Sequence, residues 1–308
     1  MKVLLIWLGK MGQFHLQNLL KISEIEKIYA FDVVEDWFKI QNDKIVYSTK
    51  LEDFENLDYD FVDIVAPTKF HYFYLEKFIK LNKNIFVEKP IVATLEEIEK
   101  LDKMIKETNY NWKIWIGFIE RFNPVSKFLK EKVNELWQPK LIEIFRYNPG
   151  SWRIQDVDVT TDLMIHDIDL VNYFLQDSWK ITGKNVEKDT STVLLKLWNT
   201  NITLSANRIT QQKIRKIKLY YNNITIDGDL MLAKVDIFHK PSEYLTQKGQ
   251  DLSISYLIEE KYLMKTNQLL EELTEFVNIV KWWKYNLLAD YESWRKSIYL
   301  LNKILENV

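Results

Sequence analysis

The sequence contains no cysteine and very little glycine. The absence of cysteine excludes disulfide bonds, thiolate zinc sites and cysteine nucleophiles, and it is compatible with a reducing compartment. Only 7 of the 308 residues are glycine, whereas average usage of about 7% would give roughly 20. Tryptophan is abundant instead, with 11 residues. This pair of counts is unusual, because glycine is among the commonest residues of globular domains.

The sequence also lacks a large excess of charge of one sign, and it lacks long apolar runs. The formal net charge of −2 gives no sign of nucleic-acid binding. No run of about 18 apolar residues predicts a membrane span. The apolar start of the chain soon reaches Gly9 and Lys10, so we interpret it as a buried strand and not as a signal peptide. We therefore expect a cytoplasmic protein with neither nucleic acid nor membrane as a partner.

Short apolar runs alternate with helical patterns through the first part of the chain. This alternation is typical of a parallel, doubly wound sheet with helices on both faces. The length of 308 residues allows two domains or one large one. We predict an α/β domain over residues 1–118. Its predicted strands cover residues 2–8, 27–32, 61–66, 84–87 and 113–118, and its clearest helices cover 72–81 and 95–108.

The pattern changes after Gly117. Several strand-like segments follow one another without helices between them, which indicates a mostly antiparallel open sheet in an α+β domain over residues 119–308. Two helical segments end the chain and can pack back on the first domain. The predicted strands cover 140–147, 192–198, 202–209, 214–221 and 224–227, and the predicted helices cover 125–136, 159–174, 261–280 and 291–305.

A glycine turn follows the first strand. In the dinucleotide fingerprint G-x-G-x-x-G, Gly9 and Gly12 match the second and third glycines, while Trp7 stands at the first. The helix that follows would direct its N–H groups and positive dipole end at a pyrophosphate. Asp32 ends the second strand 20 residues beyond Gly12, where an acid accepts a hydrogen bond from a ribose 2′-hydroxyl and favours NAD over NADP. The alternative is an ordinary strand–turn–helix.

Two clusters of ionisable side chains stand out. Lys89 follows Glu88 at the end of a predicted strand, where doubly wound sheets bind ligands. Asp162 and His166 are four residues apart, so on a helix they share a face, and a carboxylate can orient a histidine that acts as a base. The alternatives are a surface lysine, a helix-surface ion pair, or a metal site that includes Asp167 and Asp169; we predict no metal. We expect Lys89 and the Asp162–His166 pair to meet around a dinucleotide and a sugar.

Arginines accompany these clusters. Arg121, Arg146, Arg153 and Arg208 would suit an anionic or hydroxylated substrate. Each of them taken alone is more often a solvated surface charge.

These motifs together resemble the Gfo/Idh/MocA oxidoreductase family over nearly the whole chain. The resemblance implies an N-terminal Rossmann domain that binds NAD or NADP, and a C-terminal open-sheet domain that often forms a homodimer or homotetramer. It also implies that Lys89, Asp162 and His166 are catalytic. The cofactor-binding residues that it implies are Trp7, Gly9, Lys10, Met11, Gly12, Asp32, Ala66, Pro67, Thr68, His71, Glu88 and Lys89.

Two runs are similar to a subgroup, the UDP-N-acetylglucosamine 3-dehydrogenases. Residues 117–124 match its G-[HF]-x-E-R-F-N-P, and residues 153–159 match its R-I-x-D-V-G-V except that Asp158 replaces the glycine. The similarity implies hydride transfer from a sugar carbon, C3 of a UDP-N-acetylhexosamine, to nicotinamide. Inositol or a free sugar is an alternative substrate, and a non-catalytic NAD-binding regulator is an alternative class. The implied substrate-binding residues are Arg121, Asn123, Arg146, Arg153, Asp156 and Asp169.

Several tryptophans stand where the family has glycine, namely Trp7, Trp137, Trp283 and Trp294. Some bacterial lineages read the codon UGA as glycine and others read it as tryptophan. We therefore hypothesise that these positions are UGA codons decoded as glycine in the cell. The alternative is drift, since other family glycine sites carry Asn82 and Asp158. If Trp7 is genuine, an indole beneath the pyrophosphate should weaken NAD binding.

Overall fold

A computed structural model of the chain describes residues 1–92, 94–110, 114–150, 158–175, 179–240, 257–282 and 287–306. These residues form two compact units, each built around one sheet. The first unit contains Met1–Phe122 and Asn267–Glu292, and the second contains Asn123–Thr266 and Ser293–Val308. Among the described residues, no helix is long and apolar enough to cross a membrane.

The sheet of the first unit is parallel except at one edge, as predicted. Its strands are β1 (Lys2–Ile6), β2 (Lys27–Phe31), β3 (Ile45–Ser48), β4 (Phe61–Ile64), β5 (Asn84–Glu88), β6 (Ile114–Gly117) and the short β15 (Ala289–Asp290). The order across the sheet is β15-β6-β5-β4-β1-β2-β3, with β15 antiparallel to β6. Strands β4 and β6 are buried along their whole length, as expected for a sheet covered on both faces.

Helices cover this sheet. They are α1 (Lys10–Leu19), α2 (Glu52–Glu55), α3 (His71–Lys80), α4 (Leu95–Glu107) and α7 (Gln268–Trp282), with 3₁₀ turns at Glu35–Trp37, Thr68–Phe70 and Ile119–Phe122. Helix α4 begins with a capping box, in which the Thr94 hydroxyl accepts the Glu97 N–H and the Glu97 carboxylate accepts the Thr94 N–H. This exchange satisfies two backbone donors that a helix start would otherwise leave open.

Helix α7 comes late in the sequence but completes the core of the first unit. The Phe276 ring lies 4.9 Å from the ring of Phe61, 5.4 Å from that of Phe86 and 5.4 Å from that of Trp115. These are the separations at which aromatic rings attract one another. The described part of the first core therefore depends on a segment more than 140 residues beyond its strands, since α7 begins at Gln268 and β6 ends at Gly117.

The sheet of the second unit is mostly antiparallel, also as predicted. The strands are β7 (Leu141–Pro149), β8 (Lys180–Val186), β9 (Thr190–Leu197), β10 (Thr200–Asn207), β11 (Ile209–Tyr220), β12 (Ile224–Asp229), β13 (Lys234–His239) and β14 (Leu257–Tyr262). They follow the order β14-β13-β12-β11-β7-β10-β9-β8, and among these described strands only β7 and β10 pair in parallel. The accompanying helices are α5 (Pro124–Leu136), α6 (Ile165–Leu175) and α8 (Tyr291–Leu305).

Helix α5 packs closely on this sheet. Asn123 caps the helix by accepting the Val125 N–H at 2.9 Å, and Pro124 occupies the first turn, where its missing N–H costs nothing. A Cβ at Gly228 on β12 would lie 2.6 Å from a methyl carbon of Val125. Glycine is therefore required there for the close approach of helix and strand.

The helix predicted over residues 261–280 is wrong at its start. Residues up to Tyr262 belong to β14, which pairs antiparallel with β13, and the helix begins at Gln268. The predicted helix over 159–174 is present, but Thr160–Met164 forms a π-helical turn before α6 begins.

Three tryptophans have left-handed backbone conformations. Six described non-glycine residues have positive φ, and half of them are Trp7 (φ 75°), Trp137 (φ 64°) and Trp198 (φ 47°). Trp137 ends α5 with ψ −158°. Trp198 lies in the two-residue turn between β9 and β10. L-residues with bulky side chains rarely adopt this region, which glycine enters without strain.

Candidate functional site

The candidate site lies at the carboxyl ends of the parallel strands. Strands β1 and β4 are neighbours, and the chain proceeds from β1 to β2 on one side and from β4 to β5 on the other. Doubly wound sheets bind ligands in the crevice at such a switch point. The loops that leave β1 and β4 therefore form the walls of the expected site.

The turn after β1 brings the chain directly into α1. Trp7 donates its backbone N–H to the Phe31 carbonyl at 2.7 Å, which ties the turn to β2. A Cβ at Gly12 would lie 2.1 Å from the Trp7 carbonyl oxygen, so only glycine fits in the first turn of α1. The predicted residues Gly9, Lys10 and Met11 accordingly lie at the N-terminus of a helix, which is the position that favours a phosphate.

The Trp7 side chain lies across the crevice. Its ring stacks on Phe70 with 5.3 Å between centroids and 22° between planes, and its indole N–H donates to the Tyr74 hydroxyl at 3.0 Å. Phe70 and Tyr74 both follow β4. The indole therefore extends from the end of β1 to the elements after β4.

Asp32 joins the ends of β1 and β2. It is 1% exposed, and its carboxylate accepts the Leu8 N–H at 2.7 Å and the Val34 N–H at 3.0 Å. Each carboxylate oxygen has a second lone pair and could still accept a ribose hydroxyl. Asp32 thus holds the turn after β1 in place with its buried carboxylate.

The loop after β4 is held from below by His71. Its ring nitrogens lie 2.6 Å from the Ala66 carbonyl oxygen and 2.8 Å from the Pro90 carbonyl oxygen. Burial lowers the pKa of His71, so the ring is neutral and donates one N–H at a time. His71 therefore links the loop after β4 to the loop after β5. Within the first loop, Ala66 is buried, Pro67 is exposed and Thr68 is half-buried.

A buried ion cluster lies beneath these loops. His15 on α1 is fully buried, and its Nδ1 lies 2.9 Å from an Asp63 carboxylate oxygen while its Nε2 lies 3.1 Å from Oε1 of Glu88. Burial by itself lowers the pKa of His15, but the charge of Asp63 and the hydrogen bonds to Asp63 and Glu88 outweigh it and raise the pKa to about 10. The ring is therefore an imidazolium that donates to both carboxylates.

Glu272 on α7 adds a third acid to this cluster. It is 0% exposed, and neither of its carboxyl oxygens has a hydrogen-bond partner among the described residues. Burial, followed by the negative charge of Glu88, raises the pKa of Glu272 well above its usual range. The folded protein therefore holds the proton of this carboxyl group more tightly than the unfolded chain does.

Glu272→Gln is expected to stabilise the protein increasingly as pH rises. Above the ordinary pKa of a glutamic acid, the Glu272 side chain keeps its proton in the folded protein but loses it in the unfolded chain. The unfolding free energy of the wild-type protein therefore falls as pH rises from that ordinary pKa towards the raised pKa of the folded state. The glutamine variant should gain about 1.4 kcal/mol of unfolding free energy over wild type for each pH unit in this range. Urea unfolding at several pH values measures the difference. Glu271→Gln, one residue earlier and partly exposed, is the control; a pH-independent difference for Glu272→Gln would contradict the assignment.

Lys89 stands at the end of β5 and is half-buried. Its backbone N–H donates to Oε2 of Glu88 at 3.2 Å, and its peptide bond to Pro90 is cis. The same Glu88 carboxylate therefore contacts His15 with one oxygen and the backbone of Lys89 with the other. Gly117 on β6 is paired with Glu88. A Cβ at Gly117 would lie 3.0 Å from Oε1 of Glu88.

Asp162 and His166 lie in the second unit at the junction of the π turn and α6. Both are half-buried, and His166 lies between two buried neighbours. Asp162 Oδ2 lies 3.9 Å from a guanidinium nitrogen of Arg208, whose other terminal nitrogen lies 3.1 Å from Asp189. Asp158 fixes the start of the turn by accepting the Thr161 N–H and hydroxyl. Wide turns of this kind are frequent at functional sites.

Arg146 and Asp167 form a buried ion pair beside His166. The Arg146 Nε lies 2.7 Å from Oδ1 of Asp167, with side-chain exposures of 2% and 0%. Arg146, predicted to bind substrate, thus links β7 to α6. The pair holds the helix that carries His166.

Arg146→Met is expected to lower the unfolding free energy by about 3–5 kcal/mol, because it removes the guanidinium from a fully buried carboxylate. The double variant Arg146→Met with Asp167→Leu should recover most of that loss. Lys218→Met is the control: its pair with Asp227 at 3.0 Å is partly exposed and should contribute about 0–1 kcal/mol. Equal losses in the single and double variants, measured by urea unfolding, would contradict a buried pair.

The remaining predicted substrate residues are mostly inside their units. Arg121 is 5% exposed and donates to the Leu287 carbonyl at 3.2 Å. Asn123 is 4% exposed and, besides capping α5, donates to the Leu230 carbonyl at 3.1 Å. Asp169 is 1% exposed. Arg153, Asp156 and Trp283 lie outside the described residues.

The buried cluster of His15, Asp63 and Glu272 was not among the predicted site residues. A signal was present in β4, where Asp63 interrupts an otherwise apolar run. An acid in a strand that is buried on both faces needs a partner of opposite charge. Within the described residues, no group of three or more histidine or acidic side chains has the arrangement of a metal site.

Comparison with known proteins connects this site to an oxidoreductase family. Residues 1–114 match the Gfo/Idh/MocA model, described as "Oxidoreductase family, NAD-binding Rossmann fold". The chain is 24% identical over 294 residues to the UDP-N-acetylglucosamine 3-dehydrogenase of Acidithiobacillus ferrooxidans, covering 91% of this chain and 88% of the relative. It is 26% identical over 306 residues to the myo-inositol 2-dehydrogenase of Thermotoga maritima, again covering 91% and 88%.

Solved structures share the fold. A crystal form of the Acidithiobacillus ferrooxidans UDP-N-acetylglucosamine 3-dehydrogenase superposes with a TM-score of 0.81 at 22% identity, covering 100% of this chain and 97% of that chain. A levoglucosan dehydrogenase in complex with NADH and levoglucosan superposes with a TM-score of 0.79 at 14% identity, covering 99% and 96%. At these identities the likeness concerns the fold alone.

Proposed function

Because this chain belongs, through residues 1–114, to the Gfo/Idh/MocA oxidoreductase family, we propose that it is an NAD-dependent dehydrogenase of a sugar hydroxyl. The proposed substrate is a UDP-N-acetylhexosamine oxidised at C3. The observation that carries the cofactor assignment is Asp32, a buried carboxylate that braces the turn after β1. Its negative charge favours a ribose hydroxyl over a 2′-phosphate.

The residues at the strand ends fit a dinucleotide in two respects. Gly12 lacks the Cβ that would collide with the turn after β1, and α1 begins directly after that turn. The side chain of Trp7 is the one feature here that departs from the fingerprint. A bound nicotinamide would supply the hydride acceptor. The helix N-terminus of α1 would hold the phosphates and Asp32 the adenosine ribose.

The proposed chemistry assigns one role to each predicted catalytic side chain. His166 accepts the proton of the substrate hydroxyl, directly or through Lys89, because imidazole is a competent base near neutral pH. Asp162 orients His166 from the preceding turn. Lys89 polarises the hydroxyl from the end of β5. Alignment of the reacting C–H bond and removal of the proton are the protein's contribution.

Two substrate classes are consistent with the relatives. A relative named UDP-N-acetylglucosamine 3-dehydrogenase supports a nucleotide-sugar, together with the E-R-F-N-P run that ends at Pro124. A relative named myo-inositol 2-dehydrogenase supports a cyclitol or free sugar as the second candidate. In either case the reaction is oxidation of a secondary alcohol to a ketone.

A panel of UDP-sugars, free sugars and inositols with NAD and with NADP tests the proposal. NADH absorbance should increase with a UDP-N-acetylhexosamine and NAD, and only weakly with NADP. Asp32→Ser should reduce the preference for NAD over NADP, because it removes the carboxylate that disfavours a 2′-phosphate. Turnover with inositols alone would establish the second candidate. NADH binding without turnover of any substrate would overturn the dehydrogenase assignment in favour of a regulatory protein.

A further inference from the structure

We propose that Asp63, His15 and Glu88 form a positioning relay that fixes Lys89 for catalysis. This inference rests on the proposed function and adds residues that do not contact substrate. Three contacts run in sequence: Asp63 to His15 at 2.9 Å, His15 to Glu88 at 3.1 Å, and Glu88 to the backbone N–H of Lys89 at 3.2 Å. They lead from the middle of the sheet to its carboxyl edge.

Glu88, the last member of the relay, is held on both sides. The two carboxylate oxygens of Glu88 contact different partners, so its side chain cannot rotate without losing one of them. Gly117 on the neighbouring strand leaves room for Glu88, because a Cβ there would lie 3.0 Å from its Oε1. His15 and Asp63 are both 0% exposed, so water does not compete for the contact between them.

The charges around the relay favour this arrangement. Asp63 on β4 and Glu88 on β5 lie on either side of the imidazolium of His15, and Glu272 on α7 and Arg121 before α5 are the other ionisable groups that act on the cluster. Burial raises the pKa of Glu272, which weakens its competition with the two carboxylates for His15. A displacement of a reacting group by about 1 Å can cost on the order of 10²-fold in rate. A rigid Glu88 would prevent such a displacement of Lys89.

A double-mutant cycle tests the relay. Glu88→Gln keeps the shape of the side chain and removes its charge. It should lower kcat by roughly 10- to 100-fold, a larger factor than any change in the KM for NAD. In a Lys89→Ala background the same substitution should have no further effect on kcat, because it acts through Lys89. His15→Gln should reproduce the split between kcat and KM.

Glu97→Ala, which breaks the capping box of α4, is the control for a structural effect and should lower the melting temperature without changing kcat. An additive effect of Glu88→Gln on Lys89→Ala, or equal losses in kcat and NAD affinity, would overturn the relay while leaving the dehydrogenase intact. Wild-type protein without turnover on the whole substrate panel would instead overturn the proposed function and the relay with it.

Backbone conformation supports a second, independent inference. We infer that glycine occupies positions 7, 137 and 198 in the protein made by the cell. The φ and ψ of Trp137, 64° and −158°, lie in a region that is essentially restricted to glycine. Trp198 occupies a two-residue hairpin turn, a position that demands positive φ and favours glycine. The indoles of Trp137 and Trp198 are 72% and 59% exposed, so burial does not compensate for the strain.

Other tryptophans have ordinary backbone conformations and lie outside this inference. Trp115 and Trp294 lie in a strand and a helix and are 1% and 0% exposed, and their backbone is one that any residue adopts. The low glycine count points in the same direction as the three strained positions. A UGA codon read as glycine accounts for both observations with one cause.

Codon sequence and peptide mass decide this inference. We expect UGA at codons 7, 137 and 198, and peptides from the protein isolated from its own cells should carry the mass of glycine at these positions. In recombinant protein, Trp198→Gly should raise the melting temperature, whereas Trp115→Gly should lower it. A UGG codon at any of the three positions, or a tryptophan mass in the corresponding peptide, overturns the inference for that position.

Discussion

Alanine in place of His166 is expected to lower kcat by about 10²- to 10⁴-fold, the usual contribution of a positioned general base. His166 lies at the start of α6, where the ion pair of Arg146 and Asp167 fixes the helix. The loss follows from the proposed role of the imidazole, which takes the hydroxyl proton because imidazole is a competent base near neutral pH. Initial rates of NADH formation with the best substrate of the panel measure it.

His239→Ala is the matched control for this prediction. His239 is also a histidine on the second unit, but it lies on β13 and contacts Glu259 at 2.7 Å at the surface. Its replacement should leave kcat unchanged. Asp162→Asn should have a smaller effect than His166→Ala, since the role proposed for Asp162 is to orient the base. Retention of more than about a tenth of wild-type kcat in His166→Ala would refute the assignment of the base.

Trp7→Gly is expected to tighten the binding of NADH by about 10- to 100-fold, equivalent to roughly 1.4–2.8 kcal/mol. Glycine adopts the φ of 75° at this position without strain. The substitution also removes an indole that extends across the switch point to Phe70 and Tyr74. Titration of NADH fluorescence against each variant gives the dissociation constants.

Trp198→Gly is the control that distinguishes the two effects of Trp7→Gly, the relief of backbone strain and the removal of an indole from the site. It replaces the same residue type at a positive φ, in the turn between β9 and β10. It should raise the melting temperature and leave the dissociation constant for NADH unchanged. An equal gain in NADH affinity for both variants, or none for Trp7→Gly, would show that the Trp7 indole does not obstruct the cofactor.

The first sheet could be predicted because its evidence is local. Buried parallel strands are continuous apolar runs, and the helices between them have a different period. Strand β3 was missed because only Ile45–Ser48 pairs with β2, and its four residues are too few for a clear pattern. The parallel pair of β7 and β10 could not be foreseen, because it joins segments more than 50 residues apart, Leu141 with Asn201.

The start of α7 shows a different limit. Residues 257–262 have no local feature that excludes a helix, and pairing with β13 decides that they form a strand. Tertiary pairing often overrides local preference in this way. The π turn before α6 was likewise not predictable from composition alone. Asp158 accepts hydrogen bonds from the Thr161 N–H and hydroxyl at the start of this turn.

The candidate site was predictable where chemistry follows a linear motif. Gly12 and Asp32 have recognisable spacing after a strand, and the structure gives each a physical reason for its identity. The buried cluster was not predictable, because His15, Glu88 and Glu272 come from distant segments. Sequence identifies an acid, whereas only its surroundings determine whether that acid is charged.

The position of α7 in the sequence affects the order in which the protein can be completed. During synthesis, the strands of the first unit leave the ribosome long before Phe276, the residue that covers Phe61, Phe86 and Trp115. Until then this aromatic surface faces solvent, and exposed surfaces of this kind promote association with other chains. A nascent chain that stops before residue 268 would therefore be a substrate for chaperones and proteases. Residues 1–122 alone should not behave as an independent folding module.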